Sequence, residues 1–389
     1  MTPFEPALAP APAVADRLEA LKALLTSAGS RLVEPAVLQP AEMFLDLAGE
    51  DLRRRMFLTT GLAGEELCLR PDFTIPVCRM HLDGGAPERR AGYAYLGPIF
   101  RQRASGPAES LQAGVERLGE TDREAADADV LALALEATRL LGIAEPEVRI
   151  GDEALFAAVV EALPLPVAWR RRLTAAFGDT PRVLAALDRL DGGGSDEAPV
   201  AGALAEADPD TARALVENML SVAGLTPVGG RSPAEIADRL IEQATLAAGA
   251  RLAPEAAAVL RRYLAITASA DAVPERLGAF AAEVGINLAP AIESFARRTA
   301  LAAERGVDPA RLVFAAEFGR RLDYYTGFMF EIHDGRSVNR PRLNSQAVGG
   351  GRYDRLLRLM GAPDPVPAVG FSIWLDRIAT PSAAEGTVR

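Results

Sequence analysis

The chain of 389 residues is poor in the side chains that most enzymes use for proton and metal chemistry. It has two histidines, His81 and His333, and two cysteines, Cys68 and Cys78. Two thiols exclude a disulfide-dense scaffold and fit a reduced, cytoplasmic setting. Cys68, Cys78 and His81 fall close together, but their spacing fits no zinc pattern and a fourth ligand is missing, so no metal is expected. So few histidines also leave little room for imidazole-based catalysis. Lys22 is the only lysine, and every other basic side chain is arginine. The usual phosphate-binding lysine of Gly-rich loops is therefore almost excluded. No apolar run of about 18 residues is present, so no membrane span is expected. The N-terminal stretch MTPFEPALAPAPAV lacks the basic start and apolar run of a secretory signal. Positive charge is in deficit as well. The 42 basic residues against 53 acidic ones give a net charge of −11, which argues against nonspecific binding to nucleic acid or anionic membranes.

What is present is enough apolar material, 49% of residues, for a sizeable core. ADRLEALKALLTSAG (15–29) has helical spacing and a glycine stop. RLVEPAVLQPAEMF (31–44) reads as a strand broken by Pro35 and Pro40, and ELCLRPDF (66–73) and YAYLGPIFRQR (93–103) as further strands. REAADADVLALALEATRLLG (123–142) predicts an amphipathic helix with acids at its start and Arg139 near its end, as the helix dipole favours. EVRIG (147–151) is another strand. From about 155 to 305 strand patterns give way to Ala-, Leu- and Arg-rich helical ones, including a capped helix over 231–249 and an exposed loop at 191–199. Strands resume at RLVFAAEF (311–318) and GFMFEIH (327–333). The outline is α+β in one domain over 1–389. Core halves at about 15–155 and 306–380 flank a helical insertion at about 156–305.

Four segments concentrate charge, glycine and aromatic rings in strand-like sequence: LRPDFT (69–74), GPIFRQR with ESLQAGVE (97–103, 109–116), GRRLDYYTG (319–327) and VGGGRYDRLL (348–357). On a strand, alternate residues share a face, so Asp72 and Thr74 are expected together, as are Gln112 and Glu116. Acids, a glutamine and a hydroxyl suit an ammonium group; Arg101 and Arg320 suit a carboxylate; tyrosines with a glutamate suit a polar ring. Singly, each of these residues also fits a paired or solvated group. The set is what points to a zwitterionic amino acid.

These segments resemble the core of the class II aminoacyl-tRNA synthetases, specifically the histidyl-tRNA synthetase kind. GPIFRQR is similar to motif 2, with Arg101 as its arginine. PAVGFSIWLDRI (367–378) is similar to motif 3, with Arg377 as its arginine, and VLQPAEMF is similar to motif 1, with Pro40 at a dimer-interface position. RRLDYYTG and GGGRYD resemble the two histidine-specific signatures. The resemblance implies an antiparallel sheet flanked by helices. It also implies a histidine pocket: Asp72, Thr74 and Gln112 at the amino group, Arg101 and Arg320 at the carboxylate, Glu116 and Tyr325 at the imidazole, and Tyr324 and Tyr353 closing it. Asp72 stands where that family has a glutamate.

The departures all fall on the nucleotide side. Trp374 takes the place of a motif 3 glycine against which adenine would lie, and an indole fills such a slot. Arg103 replaces an acid that would read the adenine amino group. Arg321 replaces a glycine after Arg320. After motif 3 only residues 381–389 follow, too few for an anticodon-binding domain. Retained histidine pocket and lost ATP site together resemble the regulatory subunit of the short-form ATP phosphoribosyltransferase. That resemblance implies a chain with no catalytic residues and no cofactor. It implies assembly with itself as a dimer and with a short catalytic subunit in a hetero-octamer, L-histidine as allosteric effector, and no tRNA or membrane partner. The alternative is a truncated histidyl-tRNA synthetase or an ATP-dependent amino-acid ligase on the same core.

Overall fold

The computed structural model describes residues 12–47, 50–104, 106–191, 214, 254–319, 324–335 and 346–378. Arg320, Arg321, the helix expected over 231–249 and most of the loop expected at 191–199 lie outside the described residues.

The described strands form two sheets. β1 (Arg31–Leu32), β5 (Ala91–Phe100), β6 (Glu109–Leu118), β7 (Pro146–Asp152), β8 (Thr267–Ser269), β9 (Leu312–Ala315), β10 (Phe328–Asp334), β11 (Gln346–Arg352) and β12 (Ala368–Trp374) make one sheet. Its order is β1-β5-β6-β12-β11-β10-β7-β9-β8. β2 (Leu38–Pro40), β3 (Leu58–Thr60) and β4 (Glu66–Leu69) make the other, in the order β2-β4-β3. The central run from β5 to β7 is antiparallel throughout; β1 joins β5 and β9 joins β7 in parallel. The architecture is α+β.

Pleating sorts the residues of the central strands onto two faces. Ala113 and Val115 of β6 and Val369, Phe371 and Ile373 of β12 face one apolar core. That core is covered by the helices Pro12–Ser27, Arg123–Leu140 and Ala289–Glu304. The opposite face presents Gln112, Gly114 and Glu116 from β6, Tyr93 and Tyr95 from β5, and Gly370, Ser372 and Trp374 from β12. There the small sheet and the helix Thr74–Asp83 pack, in a second apolar cluster. This second face holds the candidate site.

Three sequence expectations change. The helix Arg123–Leu140 buries a face wider than a single stripe, because the sheet and two other helices pack on it, and keeps only a narrow outer stripe with Glu136 and Arg139 exposed. Its start is capped by Asp122, whose side chain accepts from the Ala125 N–H at 3.2 Å. The insertion is not purely helical. β8 lies within it and extends the main sheet by pairing with β9. Finally, ELCLRPDF is a strand only through Leu69; Thr74 opens a helix.

Candidate functional site

The site starts from a turn. Asp72 Oδ1 accepts the Thr74 N–H at 2.8 Å, an Asx turn that starts the helix Thr74–Asp83. Asp72 and Thr74 are therefore brought together by a helix start, not by a shared strand face. The turn leaves the Thr74 hydroxyl free to donate to Glu116 Oε1 at 2.8 Å. On β6, Gln112 and Glu116 do share a face, as expected, and both are fully enclosed.

Glu116 sits at the centre. Its Oε1 accepts from Thr74 and, at 3.2 Å, from the Tyr95 hydroxyl. Its Oε2 accepts from the Tyr353 hydroxyl. Burial pushes the Glu116 carboxyl up to about 8; the three hydroxyl donors oppose that rise and nearby Asp72 adds to it. Space for the carboxylate comes from glycine. A Cβ on Gly370, the cross-strand neighbour of Glu116, would stand 1.8 Å from Oε2. A Cβ on Gly114 would stand 2.5 Å from the Tyr95 hydroxyl.

Gln112 accepts the Phe73 N–H through Oε1 at 3.1 Å. That donor fixes the orientation of the amide, since the reverse would set two donors face to face. The buried Gln112 Nε2 then has no acceptor among the described residues. The amide thus carries an unpaired donor beside the acceptor that the sequence suggested. Arg101 lies beside Asp72 at 3.7 Å and donates from Nε to Pro71 O at 2.6 Å. Burial holds its guanidinium down to about 10, with Asp72 opposing that fall. Tyr324 and Tyr353 meet edge to face at 5.9 Å, and Tyr325 lies against Tyr324 at 5.2 Å. So Asp72, Thr74, Arg101, Gln112, Glu116, Tyr324, Tyr325 and Tyr353 gather in one region.

The region around Trp374, Arg103 and Arg377 is closely packed. Trp374 is buried in the same apolar cluster as Tyr324 and Tyr353 and faces Gln112 across the β6–β12 ladder. Two guanidiniums flank its ring, Arg377 at 4.4 Å and Arg101 at 6.0 Å. Arg103 is tied down: it donates to Asp376 at 2.7 Å and to Ser110 Oγ at 3.1 Å.

The histidyl-tRNA synthetase family profile matches residues 8–228 and 211–378. Solved structures share the fold. One from Bacillus halodurans, described as an ATP phosphoribosyltransferase regulatory subunit/histidyl-tRNA synthetase, superposes with a TM-score of 0.63 at 20% identity over 97% of this chain and 84% of its own. Histidyl-tRNA synthetase from Nostoc sp. PCC 7120 gives 0.62 at 16% identity over 96% of this chain and 72% of its own. Curated relatives are nearer. Proteins named ATP phosphoribosyltransferase regulatory subunit from Brucella canis and Brucella abortus are each 45% identical over 366 residues, 92% of this chain and 95% and 94% of theirs. The chain belongs to the ATP phosphoribosyltransferase regulatory subunit family.

In this regulatory-subunit chain the sequence reading missed two features beside the pocket. The first is Tyr95. Its ring stacks on Phe73 at 4.6 Å, and its hydroxyl reaches Glu116, Ser372 Oγ at 2.9 Å and Phe371 O at 3.2 Å. The signal was there, in the alternate spacing of Tyr93, Tyr95 and Gly97 along β5. The second is a buried ion network. Arg352 donates to Asp127 Oδ1 from Nε at 2.9 Å and Nη2 at 2.6 Å, and to Asp354 at 2.8 Å. Arg298, on the last helix of the insertion, donates to the other Asp127 oxygen at 2.9 Å and to Asp152 at 2.8 Å. Arg352 and Asp354 bracket Tyr353, so the network fixes the backbone that carries the Glu116 partner. Its Asp127–Arg298, Asp152–Arg298 and Asp127–Arg352 pairs join residues 146 to 225 apart in the chain, a separation that no local pattern reveals.

Proposed function

We propose that this chain is the non-catalytic regulatory subunit of ATP phosphoribosyltransferase, acting with a separate short catalytic subunit in the cytoplasm in the first step of histidine biosynthesis. The complex as a whole is a glycosyltransferase, and this chain supplies its histidine-sensing part. The observation that carries the reading is the gathering of Asp72, Arg101, Glu116 and the three tyrosines beside a buried Trp374 that occupies the adjoining space. The relatives' name agrees with it.

In the pocket, Asp72 and the Thr74 region meet the ligand ammonium group, while Arg101 and the buried Gln112 Nε2 meet its carboxylate. A ligand oxygen on Gln112 would satisfy a donor that is otherwise costly to bury. Glu116 reads the imidazole, and Tyr324, Tyr325 and Tyr353 close over it. Arg320 is assigned to the carboxylate by resemblance. Histidine here favours one arrangement of the complex; a coupling of about 1–3 kcal/mol gives several-fold to hundred-fold control of the partner. A dimer through the segment around Pro40 places two such sites in one assembly, with no role for tRNA or membrane.

The test is calorimetric titration of the purified chain with L-histidine and then ATP, followed by addition of the chain to a short catalytic subunit. Histidine binding, silence with ATP and activation of the partner are expected. Binding of both ligands with histidine-dependent pyrophosphate exchange would instead support a ligase, a reading favoured only by the retained Arg101 and Arg377.

A further inference from the structure

The carboxylate assigned to read an imidazole is already engaged by the protein. Glu116 is 1% exposed, and three hydroxyls donate to its two oxygens. A ring N–H must compete for this enclosed carboxylate with the donors already on it. The three hydroxyls are not held alike.

The two on Oε1 are anchored elsewhere. Thr74 is fixed by the Asx turn from Asp72. Tyr95 is fixed by its stack on Phe73 and by the Ser372 hydroxyl and the Phe371 carbonyl. Tyr95 has one proton and three neighbours. With Glu116 and the Phe371 carbonyl both acceptors, the Ser372 hydroxyl can donate to Tyr95 and leave its proton for Glu116. Removal of either Oε1 donor would strip the carboxylate of a partner that the ligand does not replace.

Among the described residues, Oε2 has a single donor, Tyr353. Cys78, one helical turn beyond Thr74 on the helix Thr74–Asp83, lies near the Tyr353 hydroxyl; burial pushes its thiol up and the hydroxyl opposes that rise. When displaced from Glu116 it has an acceptor to turn to, so the exchange leaves no buried hydroxyl unpaired. The absence of a side chain on Gly370 keeps Oε2 clear on the β12 side.

We infer that Tyr95 is a positioning residue that holds Glu116 Oε1 in place for ring recognition, while the Tyr353 hydroxyl is a ligand-free occupant of Oε2 that swings to Cys78 when an imidazole N–H takes its place. This deepens the histidine-site reading and rests on it. The groups facing Glu116 are Tyr95 from β5, Asp72 and Cys78 from the turn and the helix Thr74–Asp83, and Tyr353 after β11. Among these, loss of a donor hydroxyl raises the carboxyl and loss of Asp72 lowers it.

The test titrates wild type, Tyr95→Phe, Tyr353→Phe, Cys78→Ala and Glu116→Gln with L-histidine by calorimetry from about pH 6 to about pH 9. Tyr95→Phe is expected to lose about tenfold or more in affinity. The limb of its pH profile set by Glu116 is expected to move to higher pH, a shift that a merely structural role would not produce. Tyr353→Phe is expected to bind more tightly than wild type, because the competing hydroxyl is gone. Cys78→Ala is expected to bind more weakly, because the displaced hydroxyl then has no partner. If Tyr353→Phe fails to fold, Cys78→Ala decides: unchanged affinity overturns the exchange. Tyr353→Phe weakened as far as Glu116→Gln also overturns it, while the histidine site stands. A Tyr95→Phe profile that keeps its wild-type pH limb overturns the positioning role. No binding by wild type overturns the site reading itself, and this inference with it.

Discussion

Gly370 and Glu116 lie directly opposite each other on β12 and β6, and a single carbon added to the glycine would overlap the glutamate carboxylate. The contact explains why a strand whose residues are all buried keeps a hydrogen in the middle of its site face. The added atom would also stand 2.5 Å from the Val115 carbonyl, which is backbone and cannot swing away. Gly370→Ala should therefore abolish histidine binding and lower stability by about 1–3 kcal/mol, as overpacking does. Denaturant unfolding and calorimetry on the same sample would show both losses.

Glu116 gives the protein a pH-dependent stability. Its folded value of about 8 lies above the unfolded 4.5, with burial as the first cause. The folded state then binds more protons than the unfolded state between those two values, so stability falls as pH rises through that window. The contribution is complete below 4.5 and gone once pH passes about 8. Glu116→Gln should flatten this part of the curve in the ligand-free chain. Melting temperatures in a pH series, wild type against variant, would reveal the missing slope.

The Asp127 carboxylate serves two arginines that are themselves buried. Asp127→Ala leaves both without that partner, and loss of one member of a buried ion pair costs about 3–5 kcal/mol. Arg297→Ala, at the neighbour of Arg298 on the same helix but in an exposed pair with Asp122, should leave stability nearly unchanged. Denaturation of the two variants side by side separates the two regimes.

Trp374 and Arg103 sit on the same side of the pocket but differ in the same way. Trp374→Ala should cost about 3–5 kcal/mol because the ring is packed on all sides. Arg103→Ala removes a partly exposed pair with Asp376 and should change stability by about 1 kcal/mol or less. Equal losses would mean that the Arg103–Asp376 contact, rather than the indole, holds this corner together.

Much of this was legible in the sequence because the site residues lie in short stretches with strong local chemistry. Glu116, Gln112 and Trp374 fall on the faces that strand alternation assigns. Asp72 and Thr74 were placed together correctly but for the wrong reason, since a turn closed by a side chain can be mistaken for the end of a strand. The orientation of the Gln112 amide was not legible because the Phe73 N–H that fixes it is distant in chain and adjacent in space. The Asp127–Arg298–Arg352 network was invisible because each member reads as an ordinary charged residue until the insertion folds back onto the core.

β12 is the last described strand in chain order, yet it lies in the interior of the main sheet, between β6 and β11. A ribosome must deliver residues 368–374 before the strand that joins β6 to β11 can form. Until then the nascent chain holds two half-sheets with open edges, and open edges invite pairing with other chains. Gly370, Ser372 and Trp374 all arrive with that strand, so the surroundings of Glu116 and the packing around the indole are completed in the same step.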